Sequence, residues 1–280
     1  MTDLPTAAAR PLPGGWAVRA RAAARRLLRL SPLQAVRRLQ TAGYWFDPRD
    51  IGLFLRGAAT DAWVARLRRT AGHRVAFETI YRESADPWAS VTRRYRYQLR
   101  KYQVVVSFLP AERRLRNALD LGCGLGALSR LIADRADRVL GLDVAQSAID
   151  RARSAFGDHP AITFAQADLL DLPPDLNGQF DLVVIADTLY YLSPIDDALL
   201  QRLAHRVAEL LAPGGLCVLV NHFFFGKDPD SALSKKIHRA FERAPAFTDA
   251  KTYWRPFYLT TFLAKVPGPV GQPDVSFAEA

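Results

Sequence analysis

The sequence has few cysteines and lacks long apolar runs. It holds 2 cysteines in 280 residues, too few for a disulfide framework and in keeping with a reducing compartment. No apolar run reaches about 18 residues, so no membrane-spanning helix is expected. No charged start followed by a continuous apolar core is found near residue 1, which argues against a secretory signal. A cytoplasmic location is therefore expected.

The composition is otherwise that of a globular protein. Hydrophobic residues make up 49% and charged residues 24%, which excludes disordered, collagen-like and coiled-coil chains. The length allows one large domain or two small ones. No cluster of Cys and His has the spacing of metal ligands, so no metal is predicted.

Positive charge is concentrated in the first part of the chain. Residues 1–100 hold 19 Arg against 7 Asp and Glu, a net charge of +12, whereas residues 101–280 hold 19 Lys and Arg against 21 Asp and Glu, a net charge of −2. A basic arm joined to a nearly neutral body differs from a protein with a basic groove. No nucleic-acid partner is therefore expected.

Residues 1–75 are predicted to form a basic helical N-terminal extension. Apolar residues recur at helical spacing over 16–30 and 33–39 with arginines outside the stripe, and residues 44–75 indicate one or two further helices with a stop at Gly72. Three interpretations stay open for the basic helix. It packs on the main domain with its arginines in water, it contacts an anionic membrane or another acidic partner, or it is an organelle transit segment.

The rest of the chain is predicted to be an α/β domain over 76–266, followed by a disordered tail over 267–280. Its entry segment, 77–110, is rich in aromatic residues and ends in a helix closed by Pro110. Strands alternating with helices of 10–16 residues indicate a parallel sheet buried on both faces. The strands are predicted at 115–121, 138–143, 161–166, 180–186, 216–222 and 258–266, and the helices near 127–135, 147–156, 196–211 and 231–243.

A glycine motif and three acids mark the ends of the first three strands. Residues 119–126 read LDLGCGLG, which places Gly122, Gly124 and Gly126 after the first strand, where glycine lets the backbone turn tightly and approach a ligand. Asp120 precedes the glycines, Asp143 ends the second strand and Asp168 follows the third. Acids at the carboxyl ends of successive parallel strands meet in one crevice.

This set resembles the class I S-adenosylmethionine-dependent methyltransferases. The similarity extends through the fourth strand and the segment LAPGGL at 211–216, so it covers about 115–266. It implies a Rossmann-like, seven-stranded, mostly parallel sheet with helices on both faces, and S-adenosylmethionine as the cofactor. The cofactor-binding residues it implies are Tyr81, Trp88, Asp120, Gly122, Cys123, Gly124, Gly126, Asp143, Val144, Asp168, Leu169 and Asp187.

Two rival classes fit the motifs less well. Nicotinamide dehydrogenases carry G-x-G-x-x-G, whereas the glycines here are spaced two and two and follow an acid. Methyltransferases acting on amino groups of nucleic-acid bases carry Pro-Pro after the fourth strand, where this chain reads Asp187-Thr188-Leu189-Tyr190. A small-molecule acceptor is therefore expected.

A narrower resemblance is to the nodulation protein S-like methyltransferases. It rests on Tyr81, on Asp86-Pro87-Trp88, on the helix over 95–109 and on the string D-x-L-Y-Y-L at 187–192. It implies that an aromatic segment covers the cofactor and that the acceptor is an amino sugar or a specialised metabolite methylated on nitrogen. We expect the segment 77–102 to close as a lid that excludes water, and the alternative is that its aromatic residues pack the N-terminal helices onto the sheet. The family usually has Glu in place of Asp187 and lacks an obvious counterpart of residues 1–75.

Methyl transfer needs an aligned nucleophile and, in many cases, a base. The candidate bases are Asp187 after the fourth strand and His222 after the fifth, and the substrate-binding candidates are Tyr190, Tyr191, His222 and Arg255. Each has a structural alternative, since Asp187 can cap a helix, a tyrosine can belong to the core and Arg255 can lie in solvent. Small-molecule O-methylation and a cofactor-binding scaffold without turnover remain as alternative functions.

Overall fold

The computed structural model describes residues 50–92, 95–110, 114–192, 194–223, 228–255 and 257–266. The helices predicted over 16–30 and 33–39 and the tail predicted over 267–280 lie outside these residues. Within the described residues, no helix combines the length and apolar character needed to cross a membrane.

Seven strands form one sheet in the order β3-β2-β1-β4-β5-β7-β6. The first five pair in parallel, whereas β7 is antiparallel to both β5 and β6. The seven-stranded, mostly parallel, Rossmann-like sheet expected from the sequence is thus confirmed. The strands are β1 (Leu115–Leu121), β2 (Ala136–Asp143), β3 (Ile162–Gln166), β4 (Phe180–Ala186), β5 (Leu211–Phe223), β6 (Phe247–Arg255) and β7 (Phe257–Lys265).

Helices cover both faces of the sheet because side chains of successive strand residues alternate between the faces. The helices are α1 (Ile51–Glu83), α2 (Arg96–Ser107), α3 (Ala127–Ile132), α4 (Gln146–Phe156), α5 (Asp197–Leu210) and α6 (Pro229–Glu242), with short 3-10 turns at Pro174–Leu176 and Leu189–Leu192. Residues of α5 and α6 pack on one face with Leu119 and Val183. Residues of α2, α3 and α4 pack on the other with Ala118 and Leu182.

The helix α1 differs from the sequence prediction in its extent. It runs from Ile51 to Glu83, so the predicted boundary at residue 75 falls inside it. Gly72 interrupts it with φ 78° and ψ 170°, outside the helical region, which matches the predicted stop at that residue. Residues on both sides of Gly72 line one cavity.

One strand, β6, was missing from the strands read off the sequence. It lies at the edge of the sheet, and most of its central residues are exposed. A sparsely buried edge strand carries no clear period of two in its apolar residues, and that period is the signal by which strands are recognised.

Candidate active site

A cavity of about 530 Å³ lies beyond the carboxyl ends of β1, β2 and β4. This is the crevice in which open α/β sheets bind their ligands. Its wall comes partly from both halves of α1, which contribute Asp61 before Gly72 and His73, Phe77 and Tyr81 after it. Residues that the sequence assigned to a separate extension therefore line the same cavity as the glycine motif.

The turn after β1 forms one side of the cavity. Gly124 has φ 52°, and a Cβ there would lie 2.8 Å from Oη of Tyr81. Its backbone N–H donates to Oδ2 of Asp143 at 2.9 Å, so the end of β2 fixes the turn that follows β1. Gly122, Cys123, Val144 and Leu169, which were predicted to bind the cofactor, also line this cavity.

Asp120 and Gly126 do not line the cavity among the described residues. The Asp120 carboxylate is buried, and its Oδ2 accepts a hydrogen bond from Oγ of Ser129 at 2.6 Å. Burial is the main reason why its pKa rises to about 7, with the nearby Asp143 carboxylate adding to the rise. In this structure the Asp120 carboxylate is hydrogen-bonded to Ser129 inside the protein and does not face the cavity.

Replacing Asp120 by Asn is expected to stabilise the protein at alkaline pH. The pKa of Asp120 is about 7 in the fold against an ordinary 3.8, so the folded state binds the proton more tightly than the unfolded chain does. Ionisation therefore lowers stability above about pH 7, and the loss is reversed as the pH falls from 7 towards 3.8. Asn keeps an oxygen for Ser129 without the charge.

The quantity to measure is the difference in free energy of unfolding between Asp120→Asn and the wild type. It is obtained from denaturant titrations carried out at several pH values. The difference should be largest near about pH 8 and should shrink towards about pH 4. A difference that does not change with pH would contradict this account of Asp120.

Asp143 and Asp168 both line the cavity, and both are already engaged by the protein. Oδ1 of Asp143 accepts from the Ala145 backbone N–H at 2.9 Å, and burial raises the pKa of Asp143 to about 6. Oδ2 of Asp168 accepts from Nε of Arg74 at 2.6 Å and lies 2.7 Å from Nε2 of His73. Burial raises the pKa of Asp168, but these hydrogen bonds and that from the Leu170 backbone outweigh it and lower the pKa.

Asp187 stands in the turn after β4 and has a strained backbone. Its φ is 52°, a left-handed conformation that Asp tolerates better than most residues. Its Oδ2 forms a salt bridge with Nζ of Lys101, whose side chain is only 5% exposed. Its Oδ1 is buried and has no hydrogen-bond partner among the described residues. Such a buried oxygen calls for a ligand or a functional explanation.

The remaining predicted substrate residues fall into two groups. Tyr190, Tyr191 and His222 line the cavity, with the rings of Tyr190 and His222 4.1 Å apart. Arg255 is not among the lining residues in the described part of the chain; its guanidinium lies 5.3 Å above the ring of Phe108, outside the cavity. The placement of Arg255 in the substrate site is thus not supported, because its guanidinium packs over the rings of Phe108 and Tyr253 instead.

Sequence reasoning missed three charged residues of the cavity, Asp61, Lys101 and Asp230. Lys101 lies on α2 and Asp61 on α1, and each is connected to the site through partners far away in the chain. Asp61 accepts hydrogen bonds from Trp88 and Tyr191, 27 and 130 positions away. Within the described residues, no three His, Cys, Asp or Glu side chains are grouped in a way that would hold a metal ion.

The residues around the cavity fit S-adenosylmethionine. Gly122 and Gly124 pack so closely on Thr188 and Tyr81 that a Cβ would collide with them, and the carboxylates of Asp143 and Asp168 line the same cavity as this turn. Each ionised carboxylate has about four acceptor positions, so both can accept hydroxyl or amino donors besides their protein partners. Residues 118–215 also match a family model described as a methyltransferase domain.

The strand order and the acids at the strand ends are those expected of the class I S-adenosylmethionine-dependent methyltransferases, and the matched methyltransferase domain implies S-adenosylmethionine as the cofactor. The narrower similarity to nodulation protein S is confirmed as well. The chain is 29% identical to nodulation protein S of Rhizobium tropici over 164 residues, which are 58% of this chain and 64% of that protein. The match therefore spans less than two thirds of that relative.

Two further proteins show how broad the similarity is. The chain is 31% identical over 137 residues to a carboxy-S-adenosyl-L-methionine synthase of Yersinia enterocolitica, covering 46% of this chain and 49% of that protein. The crystal structure of N-methyltransferase NodS from Bradyrhizobium japonicum, in complex with S-adenosyl-L-homocysteine, superposes with a TM-score of 0.54 at 21% identity. It covers 68% of this chain and 97% of that one, a likeness that concerns the fold.

Proposed function

We propose that this protein transfers a methyl group from S-adenosylmethionine to a nitrogen of a small molecule, an amino sugar or a specialised metabolite. The observation that carries the proposal is that one cavity contains both the cofactor turn and Asp187, Tyr190 and His222. Its volume of about 530 Å³ is in the range of small-molecule sites, roughly 300–1,000 Å³. A folded macromolecule could not enter a space of this size.

The preference for nitrogen over oxygen rests on the relatives. The solved NodS structure is named an N-methyltransferase, and this chain is 29% identical to nodulation protein S of Rhizobium tropici over the matched residues. O-methylation remains the alternative. The similarity to carboxy-S-adenosyl-L-methionine synthases adds a third outcome that the assay below distinguishes.

The chain's own residues supply binding and proton handling. When bound, S-adenosylmethionine supplies an activated methyl group, and we assign its binding to the Gly122–Gly124 turn, Asp143 and Asp168. Oδ1 of Asp187 is available to hold the proton released by the acceptor, while Lys101 fixes the carboxylate through Oδ2. His222, close to Tyr190, is the second candidate base.

We further propose that the segment 77–102 acts as the lid over this cavity. Tyr81 is buried against the glycine turn, and its ring centroid lies 5.6 Å from that of Trp88. Trp88 in turn lies on the Asp61 side of the cavity. Aromatic walls exclude water, which strengthens electrostatic interactions inside a closed site.

The experiment is methyl transfer from isotopically labelled S-adenosylmethionine to a panel of amino sugars and amines, with matched alcohols and bulk RNA and DNA as comparisons. Label on amines, located on nitrogen by mass spectrometry, is the expected result. Label on alcohols alone would select O-methylation, and label on RNA or DNA alone would overturn the small-molecule acceptor. In a parallel reaction that supplies an organic acid as carboxyl donor, a cofactor that gains the mass of a carboxyl group would indicate the synthase chemistry instead.

The variant Asp143→Ala tests the assignment of the cofactor site. This change removes the acceptor of the Gly124 and Ala145 backbone N–H groups, so the turn loses its support and the site loses one carboxylate. Calorimetry is expected to show S-adenosylhomocysteine binding to the wild type and at least about tenfold weaker binding to the variant, equivalent to about 1.4 kcal/mol. Unchanged binding by Asp143→Ala would remove Asp143 from the cofactor site.

A further inference from the structure

Asp61 is a cavity carboxylate with an unusual set of partners. It lies on the first half of α1. Nε1 of Trp88 donates to its Oδ1 at 2.8 Å, and the Tyr191 hydroxyl donates to the same oxygen at 2.5 Å. Among the described residues, neither a hydrogen bond nor a salt bridge reaches Oδ2. One oxygen thus fixes the carboxylate in place while the other keeps its acceptor capacity.

Aromatic rings surround this carboxylate. The ring of Tyr191 lies edge-on to Phe77 at 5.1 Å between centroids and tilted to Trp88 at 5.8 Å, and Phe77 and Trp88 are 6.1 Å apart. All three line the cavity with Asp61. Aromatic faces attract organic cations, so the rings and the carboxylate favour the same kind of ligand.

The charge of Asp61 is not balanced within the described residues. Burial is the main cause that raises its pKa, and the nearby Asp187 carboxylate also raises it, against the hydrogen bonds from Tyr191 and Trp88 and the field of His222. Lys101, a cation of the cavity, is committed to Asp187. A ligand that brings a positive charge next to Asp61 would therefore lower the cost of burying this carboxylate.

We infer that Asp61, Phe77, Trp88 and Tyr191 bind a protonated amine of the methyl acceptor, and that this nitrogen is distinct from the atom that receives the methyl group. An atom that receives a methyl group needs a free electron pair, which an ammonium ion paired with a carboxylate does not have. Asp187 is the carboxylate next to the Gly122–Gly124 turn, because the side chain of the neighbouring Thr188 lies against Gly122. The acceptor thus carries a cationic nitrogen at Asp61 and its reacting atom near Asp187.

The inference rests on the proposed function only in one respect, which is that the molecule bound at Asp61 is the methyl acceptor. Its test is a binding experiment that needs no turnover. Benzylamine, an ammonium ion at neutral pH, and benzyl alcohol, its uncharged counterpart of similar shape, are titrated by calorimetry into the protein with S-adenosylhomocysteine present. The wild type is expected to bind benzylamine at least about tenfold more tightly than benzyl alcohol, because only the ammonium ion forms a charge-assisted hydrogen bond with Asp61.

The variant Asp61→Asn isolates the charge. Asn keeps an oxygen that accepts from Trp88 and Tyr191 and removes the negative charge, so benzylamine affinity should fall by about 10- to 100-fold. The affinities for benzyl alcohol and S-adenosylhomocysteine should stay unchanged. Asp197→Asn, a change of equal charge at a residue whose side chain is 83% exposed on α5, should leave all three affinities unchanged.

Two results would overturn the inference. One is a wild-type protein that binds benzyl alcohol as tightly as benzylamine, or that does not bind benzylamine at millimolar concentration. This comparison uses only the wild type, so it tests the inference even if Asp61→Asn fails to fold. The other is a folded Asp61→Asn protein with unchanged benzylamine affinity. If benzylamine selectivity holds while the labelled methyl appears on oxygen, the proposed N-methylation fails and the cation site stands.

Discussion

Replacing Lys101 by Met is expected to lower the free energy of unfolding by about 3–5 kcal/mol. The Lys101 side chain is 5% exposed and its ammonium pairs with Asp187, which is itself 18% exposed. Met preserves most of the aliphatic stem but leaves the Asp187 carboxylate without its cation in a buried position. Breaking one half of a buried pair costs far more than the pair contributes as a whole, because the remaining charge is uncompensated.

The second variant needed is the double replacement Lys101→Met with Asp187→Asn, measured by the same denaturant unfolding. It carries no buried charge at either position and should recover most of the stability lost in the single variant. The coupling energy between the two replacements then reports the pair itself. A single variant within about 1 kcal/mol of the wild type would show that solvent screens this pair as it screens a surface salt bridge.

The five parallel strands were predictable because they are buried on both faces. The segment Phe180–Ala186 is a continuous apolar run apart from one Asp, and six of its seven residues are buried, which is the pattern expected of an interior strand. The strand Phe247–Arg255 has no such pattern because it lies at the sheet edge. A buried strand was therefore easier to predict from the sequence than an exposed one.

The site was predictable as far as it depends on strand ends. Parallel strands bring Asp143, Asp168 and Asp187 to one edge of the sheet wherever their side chains point. The direction of each side chain depends on local contacts that no spacing reveals. Asp120 sits in the same motif, yet its carboxylate turns to Ser129 beneath the turn.

The residues that sequence reasoning missed are held in the site by contacts with residues far away in the chain. Lys101 and Asp187 are 86 positions apart, and Asp61 is joined to Tyr191 across 130. Neither Asp61 nor Lys101 belongs to the glycine motif or follows a strand. A lone Asp on a helix reads as a solvated surface charge, so only the packing of α1 against the end of the sheet shows Asp61 to be part of a cavity.

Gly124→Ala is expected to weaken S-adenosylhomocysteine binding by more than about tenfold. The new Cβ would lie 2.8 Å from the hydroxyl of Tyr81, and Tyr81 is 6% exposed and packs against Trp88, so it has little room to retreat. The turn or the lid must shift, and both border the cofactor cavity. Calorimetry gives the affinity, and thermal unfolding shows whether the variant is folded.

The matched control is Gly178→Ala, which separates backbone strain from steric contact. Gly178 has φ 70°, close to the 52° of Gly124, but a Cβ at Gly178 would meet nothing within 4 Å. Each replacement should lower stability by about 1–2 kcal/mol, the cost of a left-handed conformation for a residue with a side chain. Only Gly124→Ala should also lose cofactor affinity. Equal losses of affinity in both variants would mean that general destabilisation weakens binding, and the contact between the glycine turn and Tyr81 would then have no special part in it.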